Sequence, residues 1–479
     1  MLLDWRLWRA RHALVLTWTL ALVIGEAGVF WAASYRCASV DGRREPISAT
    51  SRDAINVAVV ADPQLTDAFS YGQRPGSLTL WLTEFYSDLY MRRAYRLAVR
   101  AHAPSKVVFV GDLFDGGRVA NEASYARHVE RFKAIFGADW STFIFAAGNH
   151  DVGLGRYFAA SAADQFRKFF GPRSHETSVC GKRLVVLDGP SLVNGRYGVQ
   201  ADQFAMSEAS AVVNAMQDRS KGVLLFTHIP LWRAPGVSCG PEARRFKTNL
   251  AQGAGISYQN LLDRETSSLL LEKLGPELIV SGDDHDNCIV SHTTSVGVTR
   301  EYTVATFSWL QGVRRPGFAI VRLEGCKEPL SGIQKEARMQ VCGLPDQLAV
   351  YLGYILLACA SIIFLAARRG VQLRFLQRGS QHRIESDASA RVAASDLKQA
   401  PDMVRASADA TPATILRKRT SQLPLFVIVE EGSERGGEDL RASAATSALS
   451  YNEWIGLARD VAYIVGWSLL VYFLLLLMI

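Results

Sequence analysis

Six short apolar runs in the first part of the chain each end directly before a side chain that can bind a metal ion. Their residues predict strands buried within a sheet, and a helix-like stretch over residues 89–102 indicates alternation of strand and helix in an α/β fold. The side chains that follow the runs are Asp62, Asp112, Asn149 with His150, Asp188, His228, and Asp283 with His285. Strands of an open sheet present functional groups at their carboxyl ends. We therefore expect five of these groups, all but the one at Asp188, to meet at one rim of one sheet.

Two of these groups indicate a metal site and not an ordinary turn. In the run GDLFDGG, Asp112 follows a valine-rich strand, where its carboxylate can bridge two cations. In the later run GNHD, Asn149 offers an amide oxygen to a metal, His150 can contact a phosphate oxygen, and Asp151 can hold that imidazole in one orientation. A lone histidine such as His228 is more often an ordinary core residue, but the series of groups favours a nitrogen ligand here.

This order of motifs resembles the calcineurin-like metallophosphoesterases, whose usual form is D-x-H, GD-x-x-D, GNH-D/E, a lone H and GH-x-H. The resemblance implies a calcineurin-like metallophosphoesterase sandwich of two mixed sheets flanked by helices. It implies a first metal on Asp62, Asp112 and His285, with Gln64 as a weaker candidate, and a second metal on Asp112, Asn149, His228 and Asp283. His150 and Asp151 are the predicted catalytic residues, while Asp115 and Asp284 are expected to orient ligands or serve the structure.

Two histidines of the family pattern are replaced, by Gln64 and by Asp283. Glutamine and aspartate still present oxygen ligands, so a metal site is retained in this interpretation. Exchanging imidazole for oxygen makes a site harder and shifts its preference from zinc toward manganese or magnesium. We therefore predict two divalent metal ions, with Mn²⁺ as the working ion.

A narrower resemblance depends on three further runs, ADPQL, SGDDHDNC and FSWLQGVRRPGF, and on flanking apolar stretches. Together they resemble the fungal-type branch of the endoplasmic-reticulum metallophosphoesterases that remodel glycosylphosphatidylinositol (GPI) anchors. The match covers roughly residues 55–322. It implies removal of an ethanolamine-phosphate side branch from a mannose of the anchor glycan, with manganese. It also implies a role in export of GPI-anchored proteins, with these proteins or the GPI glycolipid as partners.

Three apolar stretches are each close to the ~20 residues that a helix needs to cross a bilayer. They predict a cytosolic N-terminus (1–12), a transmembrane helix (13–33), a lumenal domain (36–345), a second helix (348–367), a largely disordered cytosolic linker (368–455) and a third helix (461–479). The first stretch could instead be a cleaved signal peptide, but its length and bulky Phe30-Trp31 end favour an anchor. Glu26 within it is expected to face another helix or water.

The flanking arginines set the expected orientation. Arg6, Arg9 and Arg11 precede the first span, and Arg368, Arg369, Arg374 and Arg378 follow the second. Both flanks are then cytosolic, which puts the catalytic stretch on the lumenal side. The resemblance implies that this is the lumen of the endoplasmic reticulum. Six of the seven cysteines fall in that stretch, as expected where disulfides form. Their connectivity is open, with Cys239 and Cys288 the favoured pair because each lies just beyond a ligand group.

Two other functions stay open. The first is a lumenal phosphoesterase acting on another lipid-linked or nucleotide phosphate, since the metal motifs contact only the phosphate. Specificity would then come from the loops at 66–84 and 232–259, and His292, Arg314 and Arg315 are further candidates for contacts with phosphate or glycan. The second is a non-catalytic manganese-binding membrane protein, against which the presence of His150 argues. The net charge of +7 is spread without a basic block, so nucleic-acid binding is not predicted.

Overall fold

The structure is a computed structural model that describes residues 2–39, 54–196, 203–214, 222–241, 243, 260–294, 297–326, 337–368 and 437–478. Within these residues, strands form two six-stranded sheets. The first sheet contains β1 (Ala38–Ser39), β2 (Ile55–Val60), β3 (Lys106–Val110), β4 (Phe143–Ala146), β11 (Gly317–Leu323) and β12 (Ala337–Gly343). The second contains β5 (His175–Val179), β6 (Lys182–Leu187), β7 (Val223–Thr227), β8 (Leu278–Ser281), β9 (Cys288–Thr294) and β10 (Gly297–Thr303).

Both sheets mix parallel and antiparallel pairs. The first has the order β1-β12-β11-β2-β3-β4, in which β2, β3 and β4 are parallel neighbours and β11 is antiparallel to β2. The second has the order β5-β6-β7-β8-β10-β9, parallel from β6 to β10 with antiparallel strands at both edges. The predicted sandwich of two mixed sheets is confirmed.

Strand β2 shows why the central strands are apolar at every position. Val57 and Val59 pack between the two sheets, whereas Ala58 and Val60 pack against the helices that cover the first sheet. Leu225 of β7 likewise packs into a separate cluster on the outer face of the second sheet. Each buried apolar area contributes roughly 25 cal/mol per Å² to folding. Burial on both faces therefore stabilises the strands at whose ends the predicted ligands lie.

Helices cover the outer faces of the sheets. They are α3 (Leu78–Arg93), α4 (Glu122–Phe136), α5 (Asn149–Val152), α6 (Ala160–Phe170), α7 (Gly189–Arg196), α8 (Gln203–Asn214) and α9 (Arg264–Leu274). The Ser77 side chain caps α3 by accepting a hydrogen bond from the Leu80 amide at 3.2 Å. The helical stretch expected over 89–102 therefore begins earlier, at Leu78, and it continues through a π-helical turn (Ala94–Val99) and a 3₁₀ turn (Arg100–His102).

Within the described part of the chain, three helices are long and apolar enough to cross a membrane, at Trp8–Tyr35, Gln347–Arg368 and Trp454–Leu477. They are formed by α1 (Leu2–Val23) with a π-helical turn (Ile24–Gly28) and α2 (Val29–Tyr35), by α10 (Gln347–Arg368), and by α11 (Gly437–Met478). Helix α11 begins at Gly437, within the stretch 368–455 that the sequence predicts to be a largely disordered cytosolic linker. Residues 369–436 of that linker lie outside the described part of the chain.

The chain divides into two compact units. One consists of Thr17–Leu356 with Ser468–Ile479, and it contains both sheets. The other consists of Met1–Leu16 with Leu357–Trp467. Within this second unit, Arg11 forms an ion pair with Asp460 at 3.3 Å.

Three disulfides join the six cysteines outside the apolar helices. The pairs are Cys37–Cys342, Cys180–Cys326 and Cys239–Cys288. Cys359, in α10, is a free thiol. The first bond ties the residues after α2 to strand β12, which precedes α10. The third ties the loop after β7 to the start of β9, so it braces the chain beside two of the predicted ligand groups.

Candidate metal centre

The predicted ligands meet at the carboxyl ends of five strands, but these strands belong to both sheets. Asp62, Asp112 and Asn149 follow β2, β3 and β4 of the first sheet, and His228 and Asp283 follow β7 and β8 of the second. A hydrogen bond from His228 Nδ1 to the Val110 carbonyl oxygen, 2.9 Å long, joins the two sheets at this rim. The expectation of one rim on one sheet is therefore corrected, because the strand ends converge across the sandwich.

Three of the predicted ligands of the first metal form a compact group. Asp62, Asp112 and His285 each offer one ligand atom, and these atoms lie within 4.8 Å of one another. Both carboxylates are buried, whereas the His285 side chain is 23% exposed. Burial raises the pKa of Asp62 well above its usual range, and the charges of Asp112 and Asp283 raise it further against the opposing effect of His228. Carboxylates buried this close together favour a cation among them.

The predicted ligands of the second metal lie around His228. Its Nε2 is 3.0 Å from Asn149 Oδ1, 3.4 Å from Asp112 Oδ1 and 3.5 Å from Asp283 Oδ1. Because Nδ1 faces the Val110 carbonyl oxygen, the neutral ring carries its proton on Nδ1 and its lone pair on Nε2. One nitrogen lone pair, two carboxylate oxygens and the side-chain amide of Asn149 thus face each other, and with the amide oxygen turned inward this donor set suits a divalent cation.

The backbone is strained at the same positions. Among the described residues, seven non-glycine residues have φ in the left-handed region, and five of these are predicted ligands: Asp62, Gln64, Asp112, Asp283 and His285. Such a conformation costs an L-residue roughly 1–2 kcal/mol. Strain of this kind persists where the surrounding structure enforces it, which is common at functional sites. Nothing in the sequence itself indicates this strain.

Three glycines leave the space that the ligands occupy. A Cβ atom on Gly148 would overlap the Asp112 carboxylate, and one on Gly111 would overlap the His228 ring. A Cβ on Gly282 would lie 2.9 Å from Asp62 Oδ2. The glycines of the GD, GNH and GDDH runs therefore allow backbone and ligands to approach closely. The cradle that they form fits the donor set of a dinuclear centre.

Gln64, one of the two departures from the family pattern, lies inside this cradle. Its Nε2 donates to Asp112 Oδ2 at 2.9 Å, and its amide nitrogen donates to the Asp112 carbonyl oxygen at 2.8 Å. Its Oε1 is buried and has no hydrogen-bond partner among the described residues. A buried amide oxygen without a partner is costly unless a ligand satisfies it. Gln64 is thus placed to offer an oxygen to a metal.

His150 is oriented by Asp115 rather than by Asp151. Its Nδ1 is 2.7 Å from the Asp115 carbonyl oxygen and 3.0 Å from Asp115 Oδ1, so the proton on Nδ1 is donated to Asp115. Burial lowers the pKa of His150, but the charge of Asp112 and the hydrogen bond to Asp115 outweigh it and raise the pKa to about 9. The ring is one quarter exposed.

The Asp151 carboxylate serves the backbone instead. It accepts hydrogen bonds from the amides of Leu113 and Phe114, at 2.9 and 3.2 Å, and from the Gly148 amide at 2.9 Å. These bonds fix the loop after β3 to the loop after β4. The expectation that Asp151 holds the imidazole is corrected accordingly. The spacing of the GDLFD run placed Asp115 near the site, but only the folded loop shows that it contacts His150.

Other expected residues lie away from the centre. Asp188 pairs with Arg173 at 3.0 Å, and both side chains are fully buried. His292 pairs with buried Glu301 at 2.8 Å, so it is a core residue and not a phosphate contact. Arg314 pairs with Asp346 at 2.8 Å. Of the two expected specificity loops, 66–84 is described, whereas residues 244–259 of the other lie outside the described chain.

Comparison with known proteins agrees with this geometry. Residues 55–287 match the sequence model of the family described as calcineurin-like phosphoesterase. Among solved structures, a Vps29 variant from Entamoeba histolytica shares 8% identity and a TM-score of 0.21, over 59% of this chain and 98% of that chain. That score is too low to add to the fold assignment.

Curated relatives extend the similarity. Cell division control protein 1 of Saccharomyces cerevisiae is 30% identical over 328 residues, which cover 64% of this chain and 65% of that protein. Metallophosphoesterase 1 of Ailuropoda melanoleuca is 30% identical over 249 residues, 48% of this chain and 61% of that protein. Metallophosphoesterase 1 of Rattus norvegicus is 25% identical over 390 residues, 76% and 90% respectively. The chain thus spans slightly less than two thirds of the first two relatives.

Proposed function

We propose that this chain, in which residues 55–287 form a calcineurin-like phosphoesterase domain, is a membrane-anchored phosphodiesterase that uses two divalent cations. The proposed reaction removes an ethanolamine-phosphate side branch from a mannose of the GPI anchor glycan in the lumen of the endoplasmic reticulum. This step would aid export of the anchored proteins. The observation that carries the proposal is the grouping of Asp62, Asp112 and His285 beside a histidine that Asp115 orients.

The chain's own residues divide the chemistry between them. Divalent cations held here supply Lewis-acid activation of a phosphoester and of water. Asp112 belongs to both ligand groups, since its carboxylate lies near His285 and also 3.4 Å from His228. His150 donates a hydrogen bond from Nδ1 to Asp115, so its Nε2 is the atom that can deliver a proton to the mannose oxygen as that oxygen leaves phosphorus. A general acid of this kind is worth roughly 10²- to 10⁴-fold in rate.

Manganese is the proposed metal because the donor set is rich in oxygen. Asp62, Asp112, Asp283 and the amide oxygens of Gln64 and Asn149 outnumber the two imidazoles. Oxygen ligands favour Mn²⁺ or Mg²⁺ over Zn²⁺. Gln64 Oε1 can be included among the oxygen donors, because it is buried beside Asp112 and has no hydrogen-bond partner among the described residues.

The substrate class and location are supported by the rest of the chain. Three helices can span a membrane, which suits an enzyme acting on a membrane-linked glycan. The three disulfides suit an oxidising compartment, and the flanking arginines favour an orientation with the domain in the lumen. The fungal-type runs ADPQL and SGDDHDNC add the resemblance to GPI-anchor remodelling enzymes.

The test is release of ethanolamine phosphate from purified GPI glycolipid by the full-length protein in detergent with added Mn²⁺. Asp112→Asn, which removes the carboxylate common to both ligand groups, should abolish release while leaving the circular dichroism spectrum unchanged. Asp139→Asn is the matched control, because Asp139 is exposed in the loop before β4. Its release rate should equal that of the unsubstituted protein.

Two other results would redirect the assignment. Hydrolysis of a generic aryl phosphodiester without release from the glycolipid would retain the enzyme and discard the anchor substrate. Metal binding with hydrolysis of neither compound would favour the non-catalytic manganese-binding protein. Full activity of Asp112→Asn would overturn the dinuclear mechanism itself.

A further inference from the structure

The loop after the first ligand group and the start of α3 expose a series of large apolar side chains. Phe69, Tyr71, Leu78, Trp81 and Leu82 are between 37% and 70% exposed, and we call these five residues the aromatic ledge. Leu78, Trp81 and Leu82 have the i, i+3, i+4 spacing that places them on one face of the helix. Large apolar side chains exposed together mark an interaction surface.

Helix α3 lies alongside the first apolar helix, not above its end. Arg93 forms an ion pair with Glu26, and the Tyr90 ring centroid is 5.2 Å from that of Phe30. Glu26 and Phe30 precede Tyr35, the last residue of that apolar helix, by nine and five positions. At ~1.5 Å per residue, they lie about 14 and 8 Å before its end. The second half of α3 is therefore level with residues that lie within the apolar span.

The same helix also contacts the beginning of the second apolar helix. The Tyr86 ring centroid is 6.2 Å from that of Tyr351, and the Tyr90 hydroxyl donates to the Pro345 carbonyl oxygen at 2.9 Å. Tyr351 is the fifth residue of Gln347–Arg368, so it lies about 6 Å beyond that helix's first residue. Both contacts place α3 at the depth where two membrane-spanning helices meet the bilayer surface.

The polar face of α3 is turned toward the phosphoesterase domain. Arg131 of α4 forms ion pairs with Asp88 at 2.8 Å and with Glu84 at 3.3 Å. One face of α3 thus contacts the domain through these charges, and another contacts the apolar helices. The ledge residues of α3 lie nearer the start of the helix than these contacts, and their side chains remain exposed. At this depth, the surrounding medium that suits them is lipid.

We propose that the aromatic ledge inserts into the interfacial layer of the bilayer that the apolar helices cross. Tryptophan and tyrosine favour that layer because their rings are apolar and their polar atoms reach water. The ledge is also linked to the metal centre, since Asp67 in the same loop accepts a hydrogen bond from the Gly116 amide at 3.1 Å, next to Asp115. Insertion therefore fixes the height of the metal centre above the lipid. The contact goes beyond the proposed reaction and does not depend on it.

The test measures insertion directly in the full-length protein. A Cys359→Ser background removes the free thiol, and Trp81→Cys then carries an environment-sensitive nitrobenzoxadiazole label. The protein is reconstituted in phosphatidylcholine vesicles with and without phosphatidylcholine that bears a nitroxide quencher near the top of its acyl chain. We expect a blue-shifted emission and quenching several-fold stronger than at a control position. Leu78→Cys, labelled in the same way, gives an independent second measurement.

The control position is Glu130→Cys on α4, where the native side chain is 70% exposed and pairs only with the exposed Lys133 among the described residues. Its label should emit as in water and show little quenching. Equal quenching at Trp81, Leu78 and Glu130 would overturn the proposal. If the emission of the Trp81 label is not quenched by the lipid nitroxide but changes with the protein-to-lipid ratio, the ledge contacts a second copy of the chain. That result would also overturn the proposal. Neither result depends on hydrolysis, so failure of the proposed reaction is distinguished from failure of this contact.

Discussion

Glu26 forms a buried ion pair with Arg93 and so joins the first apolar helix to α3, one of the helices that cover the two-sheet sandwich. The two side chains are 1% and 2% exposed. The Tyr354 hydroxyl of α10 donates a further hydrogen bond to Glu26 Oε1 at 2.8 Å. Glu26 is the only acidic residue between residues 8 and 35. Its charge is therefore retained inside an apolar helix because partners from two other elements satisfy it.

Removing one partner of this pair should destabilise the protein strongly. We expect Arg93→Met to lower the free energy of unfolding by about 3–5 kcal/mol, because Glu26 is left buried without a counter-charge. The double substitution Arg93→Met with Glu26→Gln should recover most of the loss, since neither remaining group is charged. Thermal unfolding in lipid nanodiscs measures both. Glu130→Gln, which breaks an exposed pair with Lys133, should change stability by less than about 1 kcal/mol.

An additive result would contradict this account. If Arg93→Met and Glu26→Gln each destabilise and the double substitution shows their sum, the two side chains do not interact energetically. The ion pair would then be a contact without consequence for stability.

Sequence alone predicted which side chains lie together at the candidate centre better than it predicted the contacts between them. The runs that end at Asp62, Asp112 and His228 were readable because strands buried on both faces carry no polar residue until they end. Local spacing also indicated that Asp115 lay near the site. It could not show whether Asp115 or Asp151 faces His150, because that depends on how two loops from adjacent strands pack together.

Contacts between residues far apart in the chain could not be predicted from the sequence either. The apolar setting of Glu26 predicted a partner, but Arg93 is 67 residues away and belongs to another element. The choice between one sheet and two also depended on contacts such as that of His228 with Val110, which are 118 residues apart. Hydrophobic periodicity reports the local burial of a strand and not its sheet neighbours.

Asp115 is expected to act through His150. Asp115→Asn should lower kcat about 10- to 100-fold, because the amide cannot hold the imidazole with the same orientation and charge. Bound metal, measured by inductively coupled plasma mass spectrometry, should remain at the level of the unsubstituted protein, because Asp115 is not a ligand. The matched control is Asp139→Asn at an exposed position. Loss of metal together with activity would instead show that Asp115 supports the metal cradle.

Gly148 is expected to tolerate no side chain. Its φ of −107° is allowed for any residue, so Gly148→Ala introduces crowding against the Asp112 carboxylate without backbone strain. Overpacking of this kind costs typically about 1–3 kcal/mol. We expect reduced metal content and reduced thermal stability. Gly353→Ala is the control, because a Cβ there would meet no described atom within 4 Å apart from the backbone of its own helix. Full metal occupancy in Gly148→Ala would show that the cradle can widen.

Gln64 should set the metal preference of the centre. Its side chain is buried against Asp112 and offers Oε1, where the family pattern places an imidazole nitrogen. Gln64→His replaces this hard oxygen by a softer nitrogen, so affinity should shift from Mn²⁺ toward Zn²⁺. We expect the ratio of the two activation constants to change by about an order of magnitude in favour of zinc. The measurement is a titration of the metal-free protein with each ion, followed by hydrolysis of an aryl phosphodiester.

Gln73→His is the matched control, because it makes the same exchange in the loop before α3, where Gln73 donates to Thr83 Oγ1 at 3.3 Å. Its metal preference should equal that of the unsubstituted protein. If Gln64→His also keeps the Mn²⁺ preference, the carboxylates of Asp62, Asp112 and Asp283 determine the hardness of the centre without Gln64. If instead its total metal content falls, the left-handed backbone at position 64, with φ of 36°, does not admit the imidazole in a ligating orientation.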